Sequence, residues 1–256
     1  MSSNNPKLYS YTITHDWGAA PNPYWGLCTL AICKKNIRKY AKSSDWVVGF
    51  GSSIFPPKDI RNKKKRKDLS KEVIYAMKIK TKISLKKYND WCTGRIDKDY
   101  FKKYKNNLAK KIPDYNNTEY KCRVGDCIYY DFHTDFPKIL EANYRIGIHG
   151  PFDLVNDLDG INVLISDEFY YFGKQHVTIK EELEGIIHKR NYKSDANNSY
   201  VNEFIKWIES VEFANFKNPI NPQPLLEDFS DYLPERRINI NHLSINNKKT
   251  KHFRSH

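Results

Sequence analysis

Apolar and polar positions along the chain switch period repeatedly, from two to nearly four and back, and each switch marks an element. "LYSYTIT" (8–14) predicts an opening strand, because aromatic and β-branched side chains favour a pleated, half-buried backbone. In "CKKNIRKYAK" (33–42), Ile37, Tyr40 and Ala41 share one helical face and Lys or Arg fill the rest. "SDWVVGFGSS" (44–53) is an apolar strand closed by a Gly/Ser turn. "EVIYAMKIK" (72–80) alternates, with Val73, Tyr75, Met77 and Ile79 on one face and Ile74 and Ala76 on the other. "SLKKYNDWC" (84–92) offers Ser84 as a helix cap and Leu85, Tyr88 and Trp91 as a buried stripe. "VGDCIYYDF" (124–132) has the form of a turn acid followed by a strand. "INVLISDEFYYFG" (161–173) predicts one long or bent strand, with Phe169 and Tyr171 opposite Tyr170 and Phe172. Thr178 and Glu181 form a capping box ahead of "EELEGIIHK". "SYVNEFIKWIESVEF" (199–213) places Tyr200, Phe204, Trp207, Ile208 and Val211 on one face of an amphipathic helix.

The elements are interrupted by "PPKDIRNKKKRKDLS" (56–70) and "KDYFKKYKNNLAKKIPDYNN" (98–117), both too polar to pack. This mixture predicts an α+β domain on a mostly antiparallel sheet, open or closed. A doubly wound parallel sheet is the alternative, and it would need a regular strand–helix alternation that the basic loops break. The 256 residues fit a single domain.

A net charge of +13 makes an acidic polymer the first partner to consider. Lys34, Lys35, Arg38, Lys63, Lys64, Lys65 and Arg66 are candidate DNA-backbone contacts, and the Lys102–Lys111 stretch offers more. Phe55, Tyr100, Phe101 and Tyr104 flank these runs and could stack on unpaired bases. No apolar run approaches the roughly 20 residues that span a bilayer, and the N-terminus has no signal pattern, so a cytoplasmic protein is expected. The pairs Cys28/Cys33 and Cys122/Cys127, with His133 nearby, invite a zinc site, but a five-residue step turns the two thiols of each pair apart. Free thiols and no metal are therefore expected. Dinucleotide, P-loop, zinc-protease, zinc-deaminase and nucleophile-elbow motifs are all missing, and no cofactor is implied.

The stretch "THDWGAAPNPYWGLCTLA" (14–31) crowds His15, Asp16, Asn22, Tyr24 and Trp25 among Gly18, Pro21, Pro23 and Gly26, which impose an irregular backbone. It reads either as a turn whose rings cover the sheet or as a ligand pocket. His149, between glycines in "YRIGIHGPFD", is placed to titrate near neutral pH or to serve structurally.

The run from "LYSYTITHDWGAAPNPYWGLCTLAICKKNIRKYAKSSDWVVGFGSS" to "VIYAMKI", with "VGDCIYY" and "NVLISDEFYYFG" in order, resembles a nucleotide modification associated domain family. It is the second family of that name, described as DNA base hypermodification proteins of bacteria and phages, and the resemblance implies a core over 7–180 with a C-terminal helical extension and basic tail over 181–256. A weaker resemblance of "SSDWVVGFGSS…VIYAMKI" to EVE, YTH and ASCH domains implies a PUA/EVE-like β-barrel or curved sheet decorated with helices. The resemblance implies modified DNA bases as the setting, and three readings follow. An N-glycosylase acting in anti-phage defence would flip and excise a modified base, with Asp16 as the carboxylate beside C1′ and Asn22 on the base edge. His15 or His149 would stabilise the departing base, and Tyr24, Trp25, Ser52 and Tyr171 would hold it. A reader would use the same pocket without breaking a bond. A transferase would install the modification.

Overall fold

The computed structural model describes residues 5–57, 66–96, 99–132, 137–140, 149, 151–188 and 192–227. Lys63, Lys64, Lys65, His133 and the basic tail lie outside them. Strand β1 (Leu8–Thr12) pairs in parallel with β3 (Trp46–Phe50), and the connection between them holds β2 (Cys28–Leu30) and helix α1 (Lys35–Tyr40). On its other side β3 pairs antiparallel with β4 (Glu72–Lys78). The far edge of β4 carries both β9 (Glu168–Tyr171) and β10 (Val177–Thr178), and β11 (Tyr192–Lys193) flanks β1. A second, antiparallel sheet orders β2, β8 (Asn162–Ser166) and β5 (Thr81–Ser84). Between the sheets in chain order come α2 (Leu85–Cys92), α3 (Lys105–Ala109), α4 (Tyr120–Arg123), the short pair β6 (Tyr129–Tyr130) and β7 (Lys138–Ile139), and α5 (Pro151–Asp159). Helix α6 (Val201–Ile208) follows β11.

The period-2 pattern of each strand sorts its side chains into layers. Tyr9, Tyr11, Val47, Tyr75 and Met77 of the first sheet meet Cys28, Leu30 and Leu164 of the second. On the outer face of the first sheet, Leu8, Trp46, Val48 and Tyr170 are covered by Phe204, Trp207 and Ile208 of α6. Trp46 lies near-parallel to Tyr170 at 6.5 Å and edge-on to Phe204 at 5.9 Å. On the outer face of the second sheet, Val163 and Ile165 are covered by Leu85, Tyr88 and Trp91 of α2. Ser84 caps α2 as its sequence predicts, accepting from the Lys87 N–H at 3.2 Å. The result is helix, sheet, sheet, helix, an α+β arrangement that is mostly antiparallel. Among the described residues neither sheet closes into a barrel. No described helix is long and apolar enough to cross a membrane.

Several local expectations change. The segment 161–173 is two strands in two sheets, joined at Asp167, with both faces of β9 buried. The alternation of β4 breaks at a bulge, where Gly49 pairs with Tyr75 but Phe50 with Val73, so Ile74 joins Tyr75 in the inter-sheet layer. The Thr178 hydroxyl donates to Glu72 rather than capping a helix, and 181–186 is a 3-10 turn. On α1, Tyr40 is 55% exposed while Arg38 is fully buried, a rotation away from the expected face. Val211 is 90% exposed, because α6 ends before it.

Candidate active site

The crowded stretch 14–31 folds as a sealed knot rather than a pocket. Gly18, Trp25 and Gly26 adopt positive φ, and the Gly18 Cα packs so closely on Tyr24 that a Cβ would fall 2.9 Å from its ring. Asp16 is buried, accepting the Tyr171 hydroxyl at 2.7 Å and the Leu225 N–H at 3.0 Å. Burial raises the Asp16 pKa, and the bonds from Tyr171, Leu225 and Gly18 only partly offset it. The Asn22 amide donates to the Val124 carbonyl at 2.6 Å. Its side-chain oxygen accepts from Lys111 Nζ at 2.6 Å, and the same ammonium bonds the Asn22 and Leu27 carbonyls. Burial pushes Lys111 down to about 8, so this member of the 102–111 run is an internal strut and not a phosphate contact. Phe101 packs on Trp91 at 5.0 Å, inside the core. Asp16, Asn22, Tyr24 and Tyr171 are all buried and together hold the loop and the 225–226 segment in place. His15 is partly buried beside the Thr14 hydroxyl, and Trp25 lies between the ammonium groups of Lys110 and Lys121 at 4.6 and 5.2 Å.

An open concavity lies at the end of the first sheet where β1 and β3, running parallel, both present their C-terminal ends. There Thr12, Thr14 and Ser52 meet the start of α1 and the C-terminal half of α5 around a cavity of about 540 Å³. That volume suits a small organic ligand. Cys33, Lys34 and Asp157 all line it.

Cys33 Sγ lies 3.0 Å from His149 Nε2, and His149 Nδ1 lies 2.6 Å from Asp157 Oδ2. The latter is a close ion-pair separation in which the ring N–H is not aligned on the oxygen. The thiol and the carboxylate occupy opposite ring nitrogens, so the three groups form a row instead of converging on a point. No set of described side chains is arranged to hold a metal. Burial opposes the His149 imidazolium, but negative charge at Cys33 and Asp157 outweighs it, and the pKa lies well above the ordinary value. Burial likewise opposes the Asp157 carboxylate, yet His149, Arg38 and the Tyr129 hydroxyl hold its pKa below the ordinary value.

The backbone at Cys33 is held as tightly as the side chain. Cys33 and Lys34 have φ of 57° and 40°, left-handed values that cost a non-glycine residue about 1–2 kcal/mol each. The Cys33 N–H donates to Asp157 Oδ1 at 2.6 Å, and the Cys33 carbonyl accepts from Arg38 Nε at 2.7 Å. Arg38 also bonds the Ala31, Asn162 and Asp157 carbonyls and lies 3.7 Å from the Asp157 carboxylate. Strain maintained by such a clamp is characteristic of functional positions. Arg38 is therefore no DNA-backbone contact, since its guanidinium has no access to solvent.

Of the residues singled out in the sequence, Ser52, Lys34 and Lys35 meet at this cavity, and His149 contacts its Cys33. Cys33 and Asp157 were missed as a pair with His149. The eight-residue step from His149 to Asp157 carries no motif, and the 116-residue separation of Cys33 from His149 hides the thiol–imidazole contact.

The model of nucleotide modification associated domain 2 matches residues 5–224. The chain belongs to that family. The match includes both sheets, α1, α5 and α6, so the cavity lies wholly within the family domain, and the assignment ties the chain to nucleotide modification. No match was found among curated proteins or solved structures.

Proposed function

We propose that this domain is a thiol-dependent enzyme that removes or transfers an acyl group on a nucleotide base, with Cys33 as nucleophile. The observation that carries this reading is the Cys33–His149–Asp157 row at the wall of an open cavity. Cysteine beside an imidazole that is in turn held by a carboxylate is the arrangement of acyl-transfer catalysis. The Cys33 sulfur would attack the acyl carbon, and the bond to the leaving nitrogen or oxygen would break as His149 gives it a proton. Water, or an acceptor amine, would then attack the thioester and yield its proton to His149, returning the thiolate. Asp157 keeps the imidazole oriented and supports its charge. The misaligned N–H to Asp157 is common before substrate binds.

Family membership supports a base-modification setting. If the base lies in DNA it must leave the stack to reach Cys33. Arg66 and Lys102, Lys103 and Lys105 are exposed and could hold the backbone meanwhile. Excision of a modified base through Asp16, in defence against phages, has weaker support, because that carboxylate is enclosed and fully bonded.

The test is to incubate the protein with DNA and free nucleotides carrying N4-acetylcytosine, and in parallel with DNA carrying hydroxymethylated or glucosylated cytosine. Intact mass spectrometry would then show a thioester on Cys33, with deacylated base released and both signals lost in Cys33→Ala. Abasic sites that persist in Cys33→Ala, with no thioester, would overturn the reading in favour of excision.

A further inference from the structure

The groups around the cavity do not balance in charge. Cys33 Sγ and His149 Nε2 face each other at 3.0 Å, and the other ring nitrogen of His149 faces Asp157 at 2.6 Å. Asp157 is matched by Arg38 at 3.7 Å, and Lys35 by Asp159 at 2.9 Å. Lys34 is left over. Its ammonium donates to the Thr12 carbonyl at 3.0 Å and rests on the Tyr11 ring at 4.4 Å, and among the described residues no carboxylate is within ion-pair distance of it. Burial is the larger influence on Lys34 and lowers its pKa, with Cys33 acting the other way. A cation removed from water without a counter-ion is costly, and the usual remedy is a carboxylate nearby. Lys34 and Thr12, whose carbonyl holds the ammonium, both line the cavity.

We propose that Lys34 binds a phosphate of the substrate, so that this site takes a phosphate-bearing nucleotide with its reacting group beside Cys33. The proposal rests on the thiol-enzyme reading of the same cavity. Phosphate is favoured over carboxylate by the rest of the wall. Thr14, Ser52, Ser53 and Ser70 bring hydroxyls to the cavity, enough donors for the several oxygens of a phosphate. Ser52 Oγ already accepts from the Ile54 N–H at 3.2 Å, which leaves its own proton free to donate. The described lining holds a single flat ring, His188, beside the apolar Ile37 and Ile187. One imidazole gives a flat base little stacking surface, and a charged handle would supply the rest of the hold. Lys34 adjoins the nucleophile in sequence and shares its left-handed turn, so the clamp that positions Cys33 also positions the anion site.

The phosphate has two possible sources, a free nucleotide or the DNA backbone, and one experiment separates them. The full chain is labelled with iodoacetamide, and the rate at Cys33 is read by peptide mass spectrometry. Each of the four deoxynucleoside monophosphates is added, then each parent nucleoside, then a short single-stranded oligonucleotide lacking terminal phosphates. At least one monophosphate or the oligonucleotide should protect Cys33 at a concentration ten or more times lower than the matching nucleoside. Lys34→Gln should abolish that preference, and Lys34→Arg should retain it, with both variants melting like the parent. Protection by monophosphates alone would assign the free nucleotide, and protection by the oligonucleotide would assign the backbone. Equal protection by nucleotides and nucleosides, no protection by any phosphate compound, or an undiminished preference in Lys34→Gln would overturn the proposal. Failure of the thiol-enzyme reading is distinct from this: no acyl adduct would form on Cys33 whatever Lys34 binds.

Discussion

Arg38→Met is the perturbation that most sharply separates a buried clamp from a surface contact. Methionine fills much of the same space and removes the guanidinium. That group donates to Cys33, Ala31, Asn162 and Asp157 carbonyls at 2.7, 2.5, 3.0 and 2.5 Å, and stands 3.7 Å from the Asp157 carboxylate. Losing one member of a buried ion pair costs about 3–5 kcal/mol, because the other charge stays behind unpaired. The carbonyl bonds belong to the same unit, so their separate values of about 1 kcal/mol do not simply add. A loss of about 4 kcal/mol in urea unfolding is expected, roughly 10 °C in Tm for a chain of this size. Cys33 labelling should slow as well, since its carbonyl loses the bond that holds the left-handed turn. Gly160→Ala tests the clamp from outside, because a Cβ there would lie 2.3 Å from Arg38 Nη2 and 2.5 Å from Cζ. It should reproduce both effects at smaller size. An Arg38→Met protein that melts normally, while its salt slope for DNA binding falls by about one, would refute the clamp and restore a backbone contact.

Other expectations follow from the same geometry. Asp16→Ala leaves the Tyr171 hydroxyl and the Leu225 and Gly18 N–H groups without their acceptor, for a loss of about 2–3 kcal/mol in urea unfolding. Cys33 labelling should stay within twofold of the parent, and a selective loss of labelling would contradict a purely structural Asp16. The raised His149 pKa gives the folded state stability that is complete below the ordinary histidine value of about 6.5 and lost as pH rises through the higher folded value. The stability difference between the parent and His149→Gln should therefore be largest in mild acid and shrink in alkali, and a difference that grows with pH would oppose this. Asp157, with its lowered pKa, contributes stability above about 3.9 that disappears as pH falls through its folded value. Asp157→Asn should accordingly flatten the acid limb of the unfolding profile.

Much of the layer structure was legible because it rests on period. The alternation in β9 correctly separates Phe169 and Tyr171, in the inter-sheet layer, from Tyr170 and Phe172, in the α6 layer, and Ser84 announces α2. What period does not encode is pairing. Nothing local says that β8 and β9 part at Asp167 into different sheets, or that a bulge at Ile74 exchanges the faces of Val73 and Ile74. The burial of the 14–31 stretch was hidden for a related reason. Asp16, Asn22 and Tyr24 form a dense cluster in sequence, but polar groups among glycines and prolines are also what a buried loop needs to satisfy its own backbone. Lys111, 89 residues from Asn22, decides between the two, and its distance along the chain conceals it. Cys33 sat in view at the head of the basic segment 33–42, read only as half of an unsuitable zinc pair. Its partner His149 was noticed without its thiol, and Arg38 was taken for a surface charge because composition gives no sign of burial.

The most direct test of the Cys33–His149–Asp157 assignment is the rate of iodoacetamide labelling at each of the five cysteines at neutral pH, in the parent and in His149→Gln. Labelling at Cys33 should outpace Cys28, Cys92, Cys122 and Cys127, and His149→Gln should slow Cys33 by about tenfold or more while leaving Cys122 unchanged. A Cys33 that labels no faster than Cys122, at a rate indifferent to His149, would contradict the account.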